Sequence, residues 1–511
     1  LPEARVWLSL LETSPLVSDG SRLSPLVLEG GRLYLYRYFD YQRRLAENLA
    51  ARRDLVCEVD EARLGGSLDR LFLSSRPDPS QRRAAETAIR RGLTIISGGP
   101  GSGKTSTVIR ILGALLEQHP TLHATLVAPT GKAAARMSAS IREQKPTLSL
   151  APELIARLPE DARTIHAVLG FQPRTPSHFL HGASRPLETD VVVVDEASMV
   201  DLALMTKLIE AVPPKARLIL LGDRDQLASV EAGHVLGDIA DAASPRQSNS
   251  NTPALGGTFV ALEHAHRFES SSGIGQLAEA IRRGDEDAML SLLDSGLVDI
   301  TRLDPDPRRL ERLAIEHWSS LTRDLLSPDA ALHALGGFQI LCAHREGPYG
   351  ASPLSRSLDE HFSREQAPQR DAEWYPGRPI MVLVNDASQD LWNGDTGVTL
   401  PEGDAMRVHF PPSHTNRRGT SIPVPQLPRH APLYATTVHK AQGSGFDHVL
   451  VVLGARTSPL LTRELLYTAI TRARQRVTIM ASSDTLRASV RAQVIRASGL
   501  RHALEKATRV K

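Results

Sequence analysis

The 511-residue sequence predicts an α/β fold with two parallel-sheet units, on three observations. Short apolar runs alternate with helix-period segments, the rhythm of βαβ units. A glycine-rich loop at 98–105 stands between such a run and a helix. A Ser/Asn/Pro/Gly-rich stretch, 241–257, reads as a mobile linker between an earlier and a later set of alternations. In chain order, residues 1–77 read as a small separate region, strand-like at 32–39 and helical at 41–53. Asp78 then offers an N-cap, Pro79 a first helical position and Gly92 a stop. The first set of strands is expected at 93–96, 124–128, 191–194 and 217–221. The second is expected at 338–342, 379–384, 448–452 and 476–480. Stretches near 171–189 and 399–432, rich in Pro, Gly, His and Arg, interrupt the rhythm as small insertions. No internal repeat with a period of about 20–50 residues is visible.

At this length the chain can bury several cores. Apolar residues are 41% and charged residues 23%, the balance of an ordinary globular protein. No apolar run approaches the roughly 20 residues of a bilayer-spanning helix, so no membrane contact is expected. No secretory signal opens the chain, and its first residue is Leu1 rather than Met, consistent with a native start further upstream. Cys57 and Cys342 are the only cysteines and lack C-x-x-C spacing. That excludes a four-cysteine metal site and points to a reducing compartment. The net charge of +2 neither demands nor forbids nucleic acid, because a local basic groove is enough.

The loop GGPGSGKT (98–105) precedes a segment with Val108, Ile111, Leu112, Leu115 and Leu116 on one helical face. That is the strand–loop–helix context the G-x-x-x-x-G-K-[ST] motif requires. Its glycines let backbone N–H groups turn inward on phosphate oxygens, and the helix start adds partial positive charge. Lys104 then suits the β- and γ-phosphates, and Thr105 suits Mg²⁺. A chance glycine-rich turn is the plainer alternative, and the complete motif in this context argues against it.

Downstream, VVVVDE (191–196) is a β-branched strand ending in two carboxylates. Asp195 at a strand's C-terminal end would hold Mg²⁺ through water, and Glu196 would orient an attacking water. Surface acids end many strands, so this pattern gains its weight from the phosphate loop before it. The strand at 218–221 ends in GDRDQ, where Gln226 either senses a γ-phosphate or sits on a solvated turn. Phosphoryl transfer also needs further cations; an arginine finger is worth roughly 10³–10⁵ in rate. Arg267 in HRF and Arg472 in the apolar YTAITRA segment are the candidates by context. TTVHKAQG (436–443) mixes Thr, His and Gln suited to phosphate contacts, against the commoner fate of a solvated helix start for His439 and Lys440.

Taken in order, these segments resemble superfamily 1 helicases, and within them the RecD family, the alpha subunits of exodeoxyribonuclease V. The carrying stretches are Gln81, GGPGSGKT, APTGKAAARM (128–137), TIHAVLG (164–170), VVVVDEASMVD (191–201) and LGDRDQLASVEAG (221–233). They continue with HRF (266–268), ILCAHREGPYG (340–350), NGDTG (393–397), TTVHKAQGSGFDH (436–448) and RELLYTAITRAR (463–474). Residues 27–43 resemble the family's N-terminal region more weakly. The resemblance implies two RecA-like P-loop motor domains with small insertions and a small N-terminal domain. The expected divisions are 1–77 for partner docking, 78–257 for the first motor domain and 258–511 for the second.

The resemblance also implies site roles. Gln81 would read the adenine of ATP. Gly98, Gly99, Pro100, Gly101, Ser102, Gly103, Lys104, Thr105 and Ser106 would hold its phosphates, with Mg²⁺ on Thr105 and Asp195. Glu196 would activate water, and Gln226, Arg267 and Arg472 would read the γ-phosphate. Thr130, Lys132, Thr164, His166, Thr437 and His439 would line a single-strand track. Trp374, Tyr375 and Trp392 are the aromatics to inspect near DNA, with core packing their commoner use. Implied partners are single-stranded and duplex-end DNA with RecB-like and RecC-like subunits, in the bacterial cytoplasm at the nucleoid. The implied activity is 5′→3′ unwinding in double-strand break repair. No acidic nuclease cluster is visible, so nuclease activity is expected in a partner.

Two positions depart from the family pattern. Gly445 stands where members carry a Glu that can contact the ATP ribose, and His266 stands where Tyr is common. A stand-alone RecD-like or conjugative helicase is the alternative within the class. A nucleotide-gated DNA-binding scaffold without productive motor work is the alternative outside it.

Overall fold

The computed structural model describes residues 3–73, 78–172, 178–229, 233–244, 253–263, 272–323, 327–366, 373–386, 388–403, 405–412, 419–494 and 498–509. Its strands form four sheets. A small N-terminal sheet contains β1 (Val17–Ser18), β2 (Leu26–Glu29) and β3 (Arg32–Leu35). The strand-like run ends at Leu35, and the helix starts earlier than expected, as Tyr36–Arg53.

The first large sheet is parallel and six-stranded. It comprises β4 (Leu93–Ser97), β5 (Ala124–Ala128), β6 (Ala162–Thr164), β7 (Val191–Val194), β8 (Arg217–Gly222) and β9 (Phe259–Ala261), in the spatial order β6-β5-β7-β8-β4-β9. Alternate residues of one strand face opposite layers. Val192, Val194, Leu218 and Leu220 enter one core, and Val191, Val193, Ile219 and Leu221 enter the other. Both faces are thus covered, as a parallel sheet requires. Helices Pro79–Arg90 and Lys104–Gln118 supply Ile89, Val108, Ile111 and Leu112 to the second core.

Two expected boundaries shift. Leu45 and Leu49 of Tyr36–Arg53 belong to the first core, and Leu64, Leu68 and Leu71 of helix Glu61–Leu71 belong to the second. Only the part before Tyr36 therefore stands outside the first unit's cores. β9, assigned from sequence to the second unit, pairs in parallel with β4 of the first. Of the proposed linker, 245–252 lie outside the described residues, and its two flanks place Ala242, Ala243, Ala254 and Leu255 in the first core.

The second large sheet is also parallel. Its strands are β10 (Ile300–Leu303), β11 (Phe338–Cys342) and, after an insertion, three more. The insertion is antiparallel: β12 (Pro379–Val382), β13 (Thr396–Glu402), β14 (Ala405–Phe410), β15 (Thr420–Pro423) and β16 (His430–Pro432), ordered β15-β14-β13-β12-β16. The parallel sheet resumes with β17 (Ala435–Thr437), β18 (Phe446–Gly454) and β19 (Ala473–Ala481), in the order β10-β19-β18-β11-β17. The run at 379–384, read from sequence as a motor strand, is the insertion's first strand, so the insertion opens well before 399. Its core is small: Ile380, Val382, Leu391, Val408, Phe410 and Ile422.

A buried polar network ties the insertion to the second motor sheet. Arg378 donates from Nε and Nη2 to the two Asp359 carboxylate oxygens at 2.8 and 2.7 Å. The Tyr375 hydroxyl donates to Asp359 at 2.6 Å and lies 2.5 Å from that of Tyr434. Tyr375 therefore has the core use rather than a DNA-facing one.

Candidate active site

β8 lies between β4 and β7, so the loop after β4, the carboxylates after β7 and the turn after β8 emerge side by side at the sheet's C-terminal edge. Gly101 and Gly103 take φ of 81° and 77°, where side-chain-bearing residues are disfavoured. A Cβ on Gly98 would lie 2.4 Å from Ser102 Oγ, and one on Gly99 would lie 3.0 Å from the Tyr467 hydroxyl. Lys104 Nζ donates to the carbonyls of Gly98 and Gly99 at 2.5 and 3.1 Å, so the loop curls around the ammonium. Ser106 Oγ donates to Gly103 O at 2.8 Å. Thr105, one residue into the helix, is half-buried. Gln81 is buried behind the loop; its Nε2 donates to Ser102 O at 3.4 Å, and Arg110 donates to its Oε1 at 3.3 Å.

Asp195 accepts the Glu196 N–H at 2.9 Å. Burial and the neighbouring Glu196 push its carboxyl above the usual range, while Lys104 pulls it back. Glu196 sits at φ 49°, a left-handed conformation that costs a non-glycine residue energy and recurs at functional sites. Asp223 is buried at the end of β8, and burial raises it to about 6 against the pull of Lys104. It accepts from Gln226 Nε2 at 3.2 Å and from the Tyr467 hydroxyl at 3.0 Å.

Tyr467 and Arg472 come from the second motor sheet's side. Arg472 is buried, donating to Thr468 O and Ser444 O at 3.2 Å each. Burial lowers its pKa, and the Glu196 and Asp223 carboxylates counter that shift. The structure thus gathers Lys104, Asp195, Glu196, Gln226 and Arg472 at one cleft. Arg267 and His266 lie outside the described residues. Asp195 and Thr105 are hard oxygen donors, which fit Mg²⁺. Among the described residues no three His, Cys, Asp or Glu side chains converge as a metal-holding cluster.

Thr130 N-caps helix Gly131–Gln144, accepting Ala133 N–H at 3.2 Å, and Thr164 caps the short helix Ile165–Leu169, accepting Ala167 N–H at 3.1 Å. Thr437 accepts Lys440 N–H at 3.4 Å. Thr130 lies two residues past β5, and Thr164 and Thr437 are the last residues of β6 and β17, so all three line the C-terminal edges of the two parallel sheets. Burial lowers the Lys132 ammonium, and Asp395 counters it. His166 is exposed beside Phe171 and Phe179, with ring centroids 5.7 and 5.8 Å away. His439 is half-buried on the turn after β17. Trp392 lies over this edge: a Cβ on Gly131 would be 3.3 Å from its Cγ. Trp374 instead packs on Arg378 and His430.

Sequence reasoning gave no role to Asp223, Tyr467 or Arg136, although each lies inside a quoted motif. Arg136 Nη1 donates across the cleft to Gly443 O at 3.1 Å. Nothing in local spacing marks contacts between residues so far apart in the chain.

Three family models match: an AAA domain at 81–232, a UvrD-like helicase C-terminal domain at 432–480, and the N-terminal domain of RecBCD enzyme subunit RecD at 1–34. The RecBCD enzyme subunit RecD of Mycolicibacterium smegmatis is 40% identical over 99% of this chain and 88% of that protein. The chain belongs to the RecD family. The Haemophilus influenzae RecD is 32% identical over 95% of this chain and 82% of that one. The ATP-dependent RecD2 DNA helicase of Deinococcus radiodurans is 31% identical over 87% of this chain, but the match takes in 54% of that longer protein. Among solved structures, the Pif1 helicase of Candida albicans gives a TM-score of 0.45 at 15% identity, covering 86% of this chain and 98% of that one. RecD-family membership agrees with the two P-loop-type parallel sheets and with the helicase motifs along the chain.

Proposed function

We propose that this RecD-family chain is the ATP-driven motor of a RecBCD-type complex. It moves 5′→3′ along single-stranded DNA and opens duplex ends for repair of double-strand breaks by recombination. One observation carries the reading: Lys104, Asp195, Glu196 and Gln226 of the first sheet face buried Arg472 of the second across one cleft. An ATP there touches both domains, so its binding and hydrolysis change the force between them.

Lys104 and the loop's N–H groups hold the β- and γ-phosphates, and Gln81 reads the base. Thr105 and Asp195 hold Mg²⁺, which neutralises phosphate charge when bound. Glu196 orients and deprotonates the attacking water. Gln226, Arg472 and Arg267 contact the γ-phosphate and lose that contact when the phosphate leaves. Thr130, Lys132, Thr164 and His166 grip the strand from the first domain, and Thr437 and His439 grip it from the second. Opening duplex DNA costs about 1.4 kcal/mol per base-pair step, so each step must be coupled to phosphate chemistry.

RecB-like and RecC-like partners dock on the N-terminal module, and nuclease activity resides in a partner. Support comes from helix Ala4–Glu12, which buries no residue and leaves Val6, Trp7 and Leu10 51–58% exposed. Contiguous apolar exposure of this kind marks an interaction surface.

The test is strand displacement by the assembled complex on duplexes with 5′ or 3′ single-stranded tails. Opening from 5′ tails is expected when this motor acts alone; opening only from 3′ tails defeats the polarity. Lys104→Gln should abolish ATP turnover by this subunit with its thermal unfolding unchanged.

A further inference from the structure

A glutamine reads a base only if its amide points the right way. Adenine offers a donor at N6 and an acceptor at N7, whereas guanine offers acceptors at both O6 and N7. An amide with its oxygen toward N6 and its nitrogen toward N7 pairs with adenine, and meets guanine O6 with a repelling oxygen. Turned over, the same amide sets its N–H groups against the adenine amino group and toward guanine O6. The two orientations have almost the same shape, so the amide's hydrogen-bond partners choose between them.

Gln81 is the third residue of helix Pro79–Arg90, which Asp78 caps by accepting Ser80 N–H at 2.9 Å. It is 6% exposed and faces two partners of opposite kind. The carbonyl of Ser102 in the phosphate loop, which can only accept, takes the Nε2 hydrogen at 3.4 Å. Arg110 Nη1, which can only donate, reaches Oε1 at 3.3 Å. Turning the amide over would set oxygen against oxygen at Ser102 and N–H against N–H at Arg110. The two contacts together fix the sense of the amide, and Arg110 supplies the charged one.

Arg110 is an unfavourable residue to bury at this place. It lies on helix Lys104–Gln118, with its guanidinium 5.7 Å from the centroid of the Phe72 ring. Burial lowers its pKa, and no carboxylate counters the shift. Buried cations are normally paired with an acid. A Met would fill the space against Phe72 without burying a charge. Among the described residues the Gln81 oxygen is the one hydrogen-bond acceptor that Arg110 meets.

We propose that Arg110 is a positioning residue that determines nucleotide specificity: it holds the Gln81 amide in the sense that accepts adenine and rejects guanine. This deepens the reading of Gln81 given above and rests on it. Arg110 acts through Gln81 and touches no reacting atom, so it sets which nucleoside triphosphate binds and leaves the chemistry at Glu196 and Arg472 alone. The Nε2 bond to Ser102 joins the same amide to the loop that holds the phosphates, so base and triphosphate are read by one connected set of groups.

The experiment compares ATP and GTP turnover by the assembled complex on single-stranded DNA, counting only the turnover that Lys104→Gln removes. The variants are Arg110→Met, Arg110→Lys and Gln81→Ala. Arg110→Met keeps an apolar stem against Phe72 and removes the donor. Its ratio of kcat/KM for ATP over GTP should fall at least about fivefold, the low end of the roughly 5–150-fold that one bidentate base contact supplies. The fall should come through KM, with kcat for ATP within about threefold of wild type. Arg110→Lys keeps a donor-only head and should retain most of the ratio. If Arg110 serves only helix packing, both nucleotides suffer alike; a ratio within about twofold of wild type in Arg110→Met overturns the proposal. Gln81→Ala separates the two levels. A fall in its ratio supports base reading by Gln81, and an unchanged ratio overturns that reading itself.

Discussion

At the scale of single residues, the cleft combines groups whose burial opposes their charge. Asp223 is raised to about 6 and Arg472 is lowered, so each favours a counter-charge brought by its opposite domain. Gly445 shows how a departure from the family pattern can be read physically. A Cβ there would lie 3.5 Å from Arg474 Nε, an ordinary contact, so the backbone accepts a side chain at this position. Gly445→Glu should leave stability within about 0.5 kcal/mol of wild type. If the Glu bonds the ribose, the KM for ATP should fall about 2–10-fold, the worth of one hydrogen bond; steady-state ATPase titration reads this directly. His448 supplies a pH test. Burial, with His317 and Arg476 nearby, lowers it to about 4, while its ring lies 5.2 Å from that of Phe338. The unfolded chain binds this proton below about pH 6.5 and the folded chain only near 4, so stability is complete above 6.5 and falls as pH drops. His448→Phe keeps the ring packing and has no proton to take up. Urea unfolding should show wild type losing about 2 kcal/mol more than the variant between pH 7 and 4.5.

At the scale of elements, the motor-sheet strands legible in the sequence are those with a continuous apolar, mostly buried run. Val191–Val194 is the clearest, with every residue buried. The strands missed from sequence, such as Ala162–Thr164 and Phe259–Ala261, have three residues each and exist because a neighbour pairs with them. The run at 379–382 was read correctly as a strand and wrongly as a motor strand, since hydrophobicity does not say which sheet a strand joins. Helix Leu202–Ala211 illustrates an end satisfied from afar. Arg52 donates to the carbonyls of Ile209, Val212, Pro213 and Ala216, 2.6–3.5 Å away, and burial lowers its pKa to about 10. The last carbonyls of a helix have no partner within it. Arg52→Met should therefore cost about 2–4 kcal/mol in a denaturant titration, through buried carbonyls left unpaired rather than through lost volume.

At the scale of the whole molecule, the chain crosses between its domains more often than its motif order suggests. Helix Leu500–Arg509 follows the second motor sheet in sequence, yet Leu500 and Leu504 pack in the first domain's core beside Leu45 and Leu49. Gly499 N–H donates to Gln42 Oε1 at 2.8 Å, and Ser498 Oγ donates to Asp238 Oδ2 at 2.5 Å. Truncation after residue 499 should destabilise the first domain by about 3–6 kcal/mol, from two exposed leucine sites. Hydrogen exchange should then show helix Tyr36–Arg53 losing protection before β18; equal protection in both would contradict this packing. The sequence by itself determined the phosphate loop, the paired carboxylates, the family and most strands of the two parallel sheets, because these depend on local spacing and on which residues avoid water. The tertiary structure alone decided that Leu227 lies in the second core, that Tyr467 meets Asp223, and that helices Tyr36–Arg53 and Leu500–Arg509 pack side by side on one face of the first sheet. Those are contacts between residues hundreds of positions apart, fixed by how two folded surfaces complement each other, and no local pattern encodes them.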